Sequence, residues 1–329
     1  MLFLTILFLG DELMRILVIG EMVTDIIVNP VPNIDFTVDC IPVNEILMRN
    51  GGDAMNIAIN LTRLGNKVTF IGKVGKDIFG RFLIDVARDE SLDTRYIRYS
   101  DKIPSAKVIA LVKENGERSF LYYSGANAYL SLDDIDFSLL DDCDYLHIGG
   151  VFHLPSIDGE GEAVLLKEAK NKNLVTSMDV AWDQTNQWDK IIAPCYPYLD
   201  YFLPNINEAK HITHTENVKE MAVYFKNKGI KTVVIKLGKE GCYCSGENKS
   251  FFCGIYDVPV VDTTGSGDSF VSGFLTGLKN EKTLETCAIW GTATAAFSVQ
   301  QAGATTGIPD FEQLMDFINN TNNLEIRYE

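Results

Sequence analysis

Short apolar runs alternate with amphipathic helical stretches along most of this chain, and few folds accept that alternation. Residues 15–20, 67–72, 145–148, 174–179, 201–203 and 232–237 read as buried strands. Between them, residues 54–64, 79–89, 161–171 and 218–228 place apolar side chains at helical spacing. A strand that runs parallel to the one before it needs a crossover, and a helix lying on the sheet supplies it with right-handed connectivity. The pattern therefore predicts a doubly wound α/β fold: a mainly parallel sheet with helices on both faces. The last third turns helical, over 268–279, 284–299 and 311–319. Two stretches break the rule. Residues 25–49 carry no helical period, and Val38–Asp39 and Ile41–Pro42 read as extended. Residues 107–123 alternate around Asn115–Gly116, the signature of a two-residue hairpin turn. Together, over about 26–49 and 105–124, they predict a small second sheet appended to a single domain.

The bulk properties narrow the possible partners. With 46% hydrophobic and 22% charged residues, 329 residues suffice to bury a full sheet between two helix layers. Asp and Glu outnumber Lys and Arg by 45 to 29, and a net charge of −16 repels a polyphosphate backbone, which excludes nucleic acid. A small anion can still be held locally by a helix N-terminus. The seven cysteines are odd in number and form no pair of Cys-x-x-Cys motifs; Cys242 and Cys244 share one face of a strand. Four histidines give them no evident metal partners, so reduced thiols of a cytoplasmic protein are expected. Residues 1–13 lack a basic start and a cleavage site, and their apolar run is too short to span a bilayer. They read as an extension from an upstream start, ahead of a single domain over 14–320 and a tail over 321–329. An intact mass of the native protein that includes Met1 would refute the upstream start.

Two segments carry chemistry. In Val261-Asp-Thr-Thr-Gly-Ser-Gly-Asp-Ser-Phe270 the glycines precede an apolar helical run. Gly265, Ser266 and Gly267 would offer backbone N–H groups at a helix N-terminus, a ready anion site. Asp268, in the first turn, suits the removal of a proton from a hydroxyl that attacks a phosphoryl group. Taken alone, such a stretch is more often a plain helix cap. In Asn50-Gly-Gly-Asp-Ala-Met-Asn56, two glycines open a helix that runs to Leu64-Gly65. Asp53 and Asn56 sit three apart on one face and can bond sugar hydroxyls, or merely cap and solvate the helix.

The two segments resemble the paired signatures of the ribokinase-like (pfkB) carbohydrate kinase family. A third match, Pro204-Asn205-Ile206-Asn207-Glu208, is similar to that family's Asn-x-x-Glu. The resemblance runs from about Met14 to Pro309 in the family's order, and it implies a ribokinase-like fold with the β flap as a lid. It implies Asp268 as base and Gly265–Gly267 as anion hole, with each well-placed donor worth ~10²–10³ in rate. Asp25, Gly51, Gly52, Asp53 and Asn56 would bind the acceptor, although Asp53 replaces the lysine usual in ribokinase proper. Asn205, Lys236 and Gly238 would serve ATP, and Glu208 magnesium through water. By themselves, Asn205 reads as well as a helix cap and Lys236 as well as a strand-end surface lysine. Asp262 and Thr264 resemble a monovalent-cation site, for K⁺, but Gly307 stands where related sites often have a side-chain ligand. The family's lid often pairs with a second subunit, which implies a homodimer through the lid.

The acceptor is harder to read. Gly116-Glu-Arg-Ser-Phe120 is similar to 2-keto-3-deoxygluconate kinases, whereas Ser124-Gly-Ala-Asn127 is nearer to ribokinase and lacks the arginine a sugar acid would want. Asp25 and Asp53 suit the hydroxyls of a neutral, fructose- or ribose-like sugar and would repel a sugar phosphate. Nucleoside and sugar-acid kinases remain as alternatives. A non-catalytic sugar-binding regulator is disfavoured by the intact Asp268 and glycine loop. Trp182 is either a stacking surface or a packed core-edge residue.

Overall fold

The computed structural model of the protein describes residues 15–31, 34, 37–114, 117–321 and 324–329. The expected extension over 1–13 and the Asn115–Gly116 turn lie outside them. The first half of the chain forms β1 (Arg15–Gly20), β2 (Val23–Asn29), β3 (Glu45–Gly51), α1 (Asp53–Arg63), β4 (Lys67–Ile71), β5 (Lys73–Gly75), α2 (Ile78–Asp89), β6 (Arg98–Ser100), β7 (Lys107–Val112) and β8 (Arg118–Tyr123). Here the crossover rule and the flap are both visible. The second half adds β9 (Tyr145–Val151), α3 (Glu160–Asn171), β10 (Val175–Val180), α4 (Trp188–Ile192), β11 (Tyr201–Phe202), α5 (Ile206–Thr213), α6 (Val218–Asn227) and β12 (Thr232–Lys236). It closes with β13 (Cys242–Ser245), β14 (Ser250–Cys253), α7 (Ser266–Lys279), α8 (Leu284–Ser298), α9 (Phe311–Asn320) and β15 (Ile326–Tyr328).

Nine strands form the main sheet in the order β15-β14-β13-β12-β11-β10-β9-β1-β4. The six from β4 to β12 in that order are parallel, and the last three at the other edge are antiparallel. Strand β1 shows why its sequence is apolar from Ile16 to Ile19. Ile16 and Val18 face a core shared with Ile57 of α1 and Phe274 of α7. Leu17 and Ile19 face the opposite core, shared with Leu165 of α3 and Phe225 of α6. A strand covered on both faces has no polar side to show. Cys242 and Cys244 share one face of β13, their Sγ atoms 3.9 Å apart in the core.

The flap is a four-stranded sheet in the order β3-β2-β7-β8. Val38–Asp39 and Ile41–Pro42 are not strand. They fall in an irregular crossing between β2 and β3, with Val38 51% exposed, because no neighbouring strand offers them ladder partners. At the other end, the residues read as a tail supply β15, which pairs with β14 and sets Tyr328 against Phe251. An uncovered sheet edge recruits any extended segment within reach.

Parallel strands all point their carboxyl ends the same way, and ligands bind at that end of open α/β sheets. Glu21 follows β1, His153 follows β9, Asp179 lies near the end of β10 and Lys236 ends β12. Strand β2 starts within three residues of β1, so the flap stands over that same end.

Candidate active site

Gly265 sets up the glycine loop. Its φ is +71°, and a Cβ there would lie 2.5 Å from the Ala304 Cα, so only glycine fits without strain. From it α7 starts with Ser266, Gly267 and Asp268 in the first turn. The first bond to the loop carbonyl runs from Ser269 N–H to Gly265 C=O at 2.9 Å, which leaves the Gly267 and Asp268 amides ahead of the helix's own ladder. A Cβ on Gly267 would lie 3.5 Å from Lys236 Nζ, so the ammonium stands beside the loop. Donors, dipole and cation together form an anion site.

Helix α1 meets this loop directly. Asn56 Nδ2 donates to Asp268 Oδ2 at 2.8 Å, and Asn50 Nδ2 donates to Asn56 Oδ1 at 3.1 Å. The carboxylates of Asp53, Asp179 and Asp268 approach to within 4.8 Å of one another, and Asp179 lies 3.9 Å from Lys236 Nζ. Burial, and then the charge of Asp179, pushes Asp268 up to about 7. Burial and the Asp268 charge likewise raise Asp53 well above the carboxylate range. A carboxyl held where Asp268 is accepts a proton near neutrality.

Asp25 rests on Gly51, where a Cβ would lie 2.3 Å from its Oδ2. Gly52, with φ +89°, is the N-cap of α1 and brings the helix start against the Glu21 carbonyl. Burial and Glu21 push Asp25 up to about 7. Glu21 itself is buried; its Oε2 accepts from His153 Nδ1 at 3.1 Å and from the Tyr122 hydroxyl at 3.4 Å. The Tyr122 ring stacks on His153 with centroids 4.8 Å apart. Burial works against charge on His153, but Glu21 overcomes it and raises the imidazole above its ordinary value.

On the other side of Gly267 opens a cleft of about 560 Å³. Lys236, Gly238, Ser266 and Gly267 line its polar end, while Tyr256, Val260, Phe270 and Val299 make apolar walls suited to a flat base. Asn205 caps α5, accepting from the Asn207 and Glu208 amides at 2.9 and 3.0 Å. Glu208 Oε2 returns the contact to Asn205 N–H at 2.7 Å. Burial pushes Glu208 up to about 7, against the pull of Lys236. Asn205 thus does what a helix cap does, and Glu208 still lies within the field of the phosphate loop. Asp262 Oδ1 accepts from the Thr264 amide and hydroxyl at 3.0 and 2.8 Å, and Oδ2 accepts from Gly303 N–H at 3.1 Å.

The expected residues therefore fall into three groups. Asp25, Gly51, Gly52, Asp53, Asn56 and Asp268 cluster where the start of α1 meets the start of α7. Lys236, Gly238, Ser266 and Gly267 line the cleft. Asp262 and Thr264 sit just behind the glycine loop. Glu21, Tyr122, His153 and Asp179 were not legible as site residues. The position of Glu21 and Asp179 at the carboxyl ends of buried strands was the available signal. Trp182 is 51% exposed and packs edge-on against Trp188 and His211 at 5.1 and 4.8 Å, rather than over the acceptor residues.

Known proteins resemble this chain over most of its length. The sequence pattern described as pfkB family carbohydrate kinase matches residues 14–310. A ribokinase of Haemophilus influenzae is 30% identical over 277 residues, 82% of this chain and 87% of that protein. A probable fructokinase-7 of Arabidopsis thaliana is 29% identical over 289 residues, covering 82% and 84%. The crystal structure of a Thermotoga maritima ribokinase superposes with a TM-score of 0.81 at 27% identity, covering 94% of this chain and 100% of that one. Among the described residues, no helix is long and apolar enough to cross a membrane.

Proposed function

Since the chain belongs to the pfkB family of carbohydrate kinases, we propose that it transfers the γ-phosphoryl group of magnesium–ATP to a hydroxymethyl group of a neutral, ribose- or fructose-like sugar. ATP-dependent phosphorylation of a carbohydrate is the family's activity; the acceptor, the residue roles and the assembly are our reading. The observation that carries it is the bond from Asn56 to Asp268, which joins the acceptor helix to a buried carboxylate at the mouth of an anion site.

In this reading the sugar binds between Asp25, Asp53 and Asn56, with Gly51 and Gly52 allowing close approach of the backbone. ATP lies in the apolar-walled cleft with its phosphates toward Lys236, Gly238 and the glycine loop. Asp268 takes the hydroxyl proton as the oxygen attacks the γ-phosphorus, and the displaced oxygen leaves with ADP. The amides of Gly265–Gly267 and the Lys236 ammonium stabilise charge on the transferring group. Glu208 would hold magnesium through water, and the ion would supply positive charge against the phosphates. A lid closed by β2, β3, β7 and β8 keeps water from competing with the acceptor.

Neutrality of the acceptor follows from the carboxylates of Glu21, Asp25, Asp53, Asp179 and Asp268, which converge on one end of the sheet. A sugar phosphate would meet repulsion there. One observation favours a sugar acid as second choice: Arg49 stands opposite Asp25 in the ladder, on the same face of the lid. A cytoplasmic homodimer joined through the lid completes the proposal, supported by the exposed outer-face residues Ile46, Met48 and Leu121. The test is ADP release with magnesium–ATP across neutral sugars, sugar acids, sugar phosphates and nucleosides. Turnover of one pentose or hexose is expected; turnover of sugar acids or nucleosides alone overturns the acceptor.

A further inference from the structure

Side chains alternate along a strand, so Arg118, Phe120 and Tyr122 share one face of β8. The ladder aligns Tyr122 with Val108 and Val108 with Asp25, which makes that the acceptor-facing side of the lid. At one end of the row, Tyr122 reaches Glu21 and His153. At the other end, Arg118 Nη1 donates to Thr264 Oγ1 at 2.6 Å and lies 3.5 Å from Asp262 Oδ1. Asp262 and Thr264 immediately precede the glycine loop. One strand of the lid thus touches both the acceptor end and the segment that presents the anion hole.

We infer that Arg118 is a positioning residue: it fastens the closed lid to the phosphate loop, and its guanidinium takes the place that a monovalent cation would take at Asp262 and Thr264. While Arg118 is in place the donor set is already filled. Both Asp262 oxygens already accept from the Thr264 and Gly303 amides, and the Thr264 hydroxyl donates to Asp262 while accepting from Arg118. Gly307 offers no side-chain oxygen. A guanidinium keeps its charge at any working pH and spreads several donors in a fixed plane, which suits it to bridge a hydroxyl and a carboxylate. Carried on β8, that charge reaches Asp262 only when the lid is down. Acceptor cover and a neutralised phosphate loop therefore form together. The inference rests on reading Gly265–Gly267 as the phosphoryl-binding loop.

The experiment compares the full-length wild type with Arg118→Met and Arg118→Lys. Each is measured in KCl and in tetramethylammonium chloride, with amide hydrogen exchange of the ligand-free protein read alongside kinetics. Wild-type turnover is expected to be the same in both salts, and KCl should leave its melting midpoint unchanged. Arg118→Met should raise the acceptor KM about three- to tenfold, the loss of one charge-assisted bond on a half-exposed pair. Exchange over β7 and β8 should speed up by a similar factor. KCl should restore its kcat and raise its melting midpoint but leave its KM high, since a free ion supplies charge without a tether. Arg118→Lys should recover part of the KM without KCl. A K⁺-dependent wild type, or an Arg118→Met lid that exchanges as slowly as wild type, overturns the inference. Exchange needs no acceptor, so a mistaken sugar assignment shows as silent turnover while the fate of the latch is still decided.

Discussion

Burial and the Asp179 charge hold Asp268 at about 7, and the consequences for activity and for folding run in opposite directions. A base must be ionised, so kcat/KM should climb with pH to a plateau above about 7, as a pH–rate profile would read. In folding, the same carboxyl releases its proton near 3.8 when the chain is unfolded and near 7 when it is folded. Between those values the folded chain holds the extra proton, so the stability of the ligand-free protein falls as pH rises through that window and then levels. Asp268→Asn should therefore cut kcat by about 10²–10⁴-fold while nucleotide binding persists. Its melting midpoint should exceed that of the wild type at neutral pH and above, and the gap should narrow as pH falls, closing only below about 3.8, where the wild-type carboxyl is neutral in both states. Asn56 donates to the ionised form and holds the shift down. Asn56→Leu should move the rise in kcat/KM upward by about one pH unit, the value of a hydrogen bond to a charge.

At the scale of elements, the turn into α7 depends on one backbone conformation. Gly265→Ala puts a Cβ at positive φ and against Ala304, a strain of about 1–2 kcal/mol before the collision is counted. ATP affinity and the melting midpoint should both fall, by calorimetry and thermal denaturation. This loop and α1 were legible in the sequence because each is a continuous segment whose glycines, cap and apolar period announce themselves locally. The strands of the main sheet were legible for the same reason: β1 is apolar from Ile16 to Ile19 because both its faces are covered. What escaped was assembled at a distance. Glu21, Tyr122, His153 and Asp179 come from four strand ends or edges, and nothing local marks them as neighbours until the sheet sets them side by side. The apolar walls of the cleft, Tyr256, Val260 and Phe270, read as ordinary packing for the same reason. Val38 and Ile41 misled because strand propensity counts only where a partner strand exists. Conversely Ile326–Tyr328, with no strong period of its own, became a strand because β14 offered an edge.

For the molecule as a whole, the lid shows two different faces. Its outer face leaves Ile46, Met48 and Leu121 exposed at 64, 41 and 59%, which suits a second copy of the chain. Leu121→Asp should halve the mass seen by light scattering while nucleotide binding in the main domain is retained. An unchanged mass would count against pairing through the lid. The inner face carries Asp25, Arg49 and Tyr122 on a sheet hydrogen-bonded separately from the nine-stranded one that holds Lys236, with the glycine loop on α7 against it. Inheritance can therefore act on the two separately. Substitutions along the lid's inner row alter which hydroxyls and charges are welcomed, at little expense to the large core. On the proposed roles, those at Gly265 or Asp268 should end phosphoryl transfer for every acceptor. A lineage built on this plan can change its diet while keeping its chemistry, one ladder position at a time.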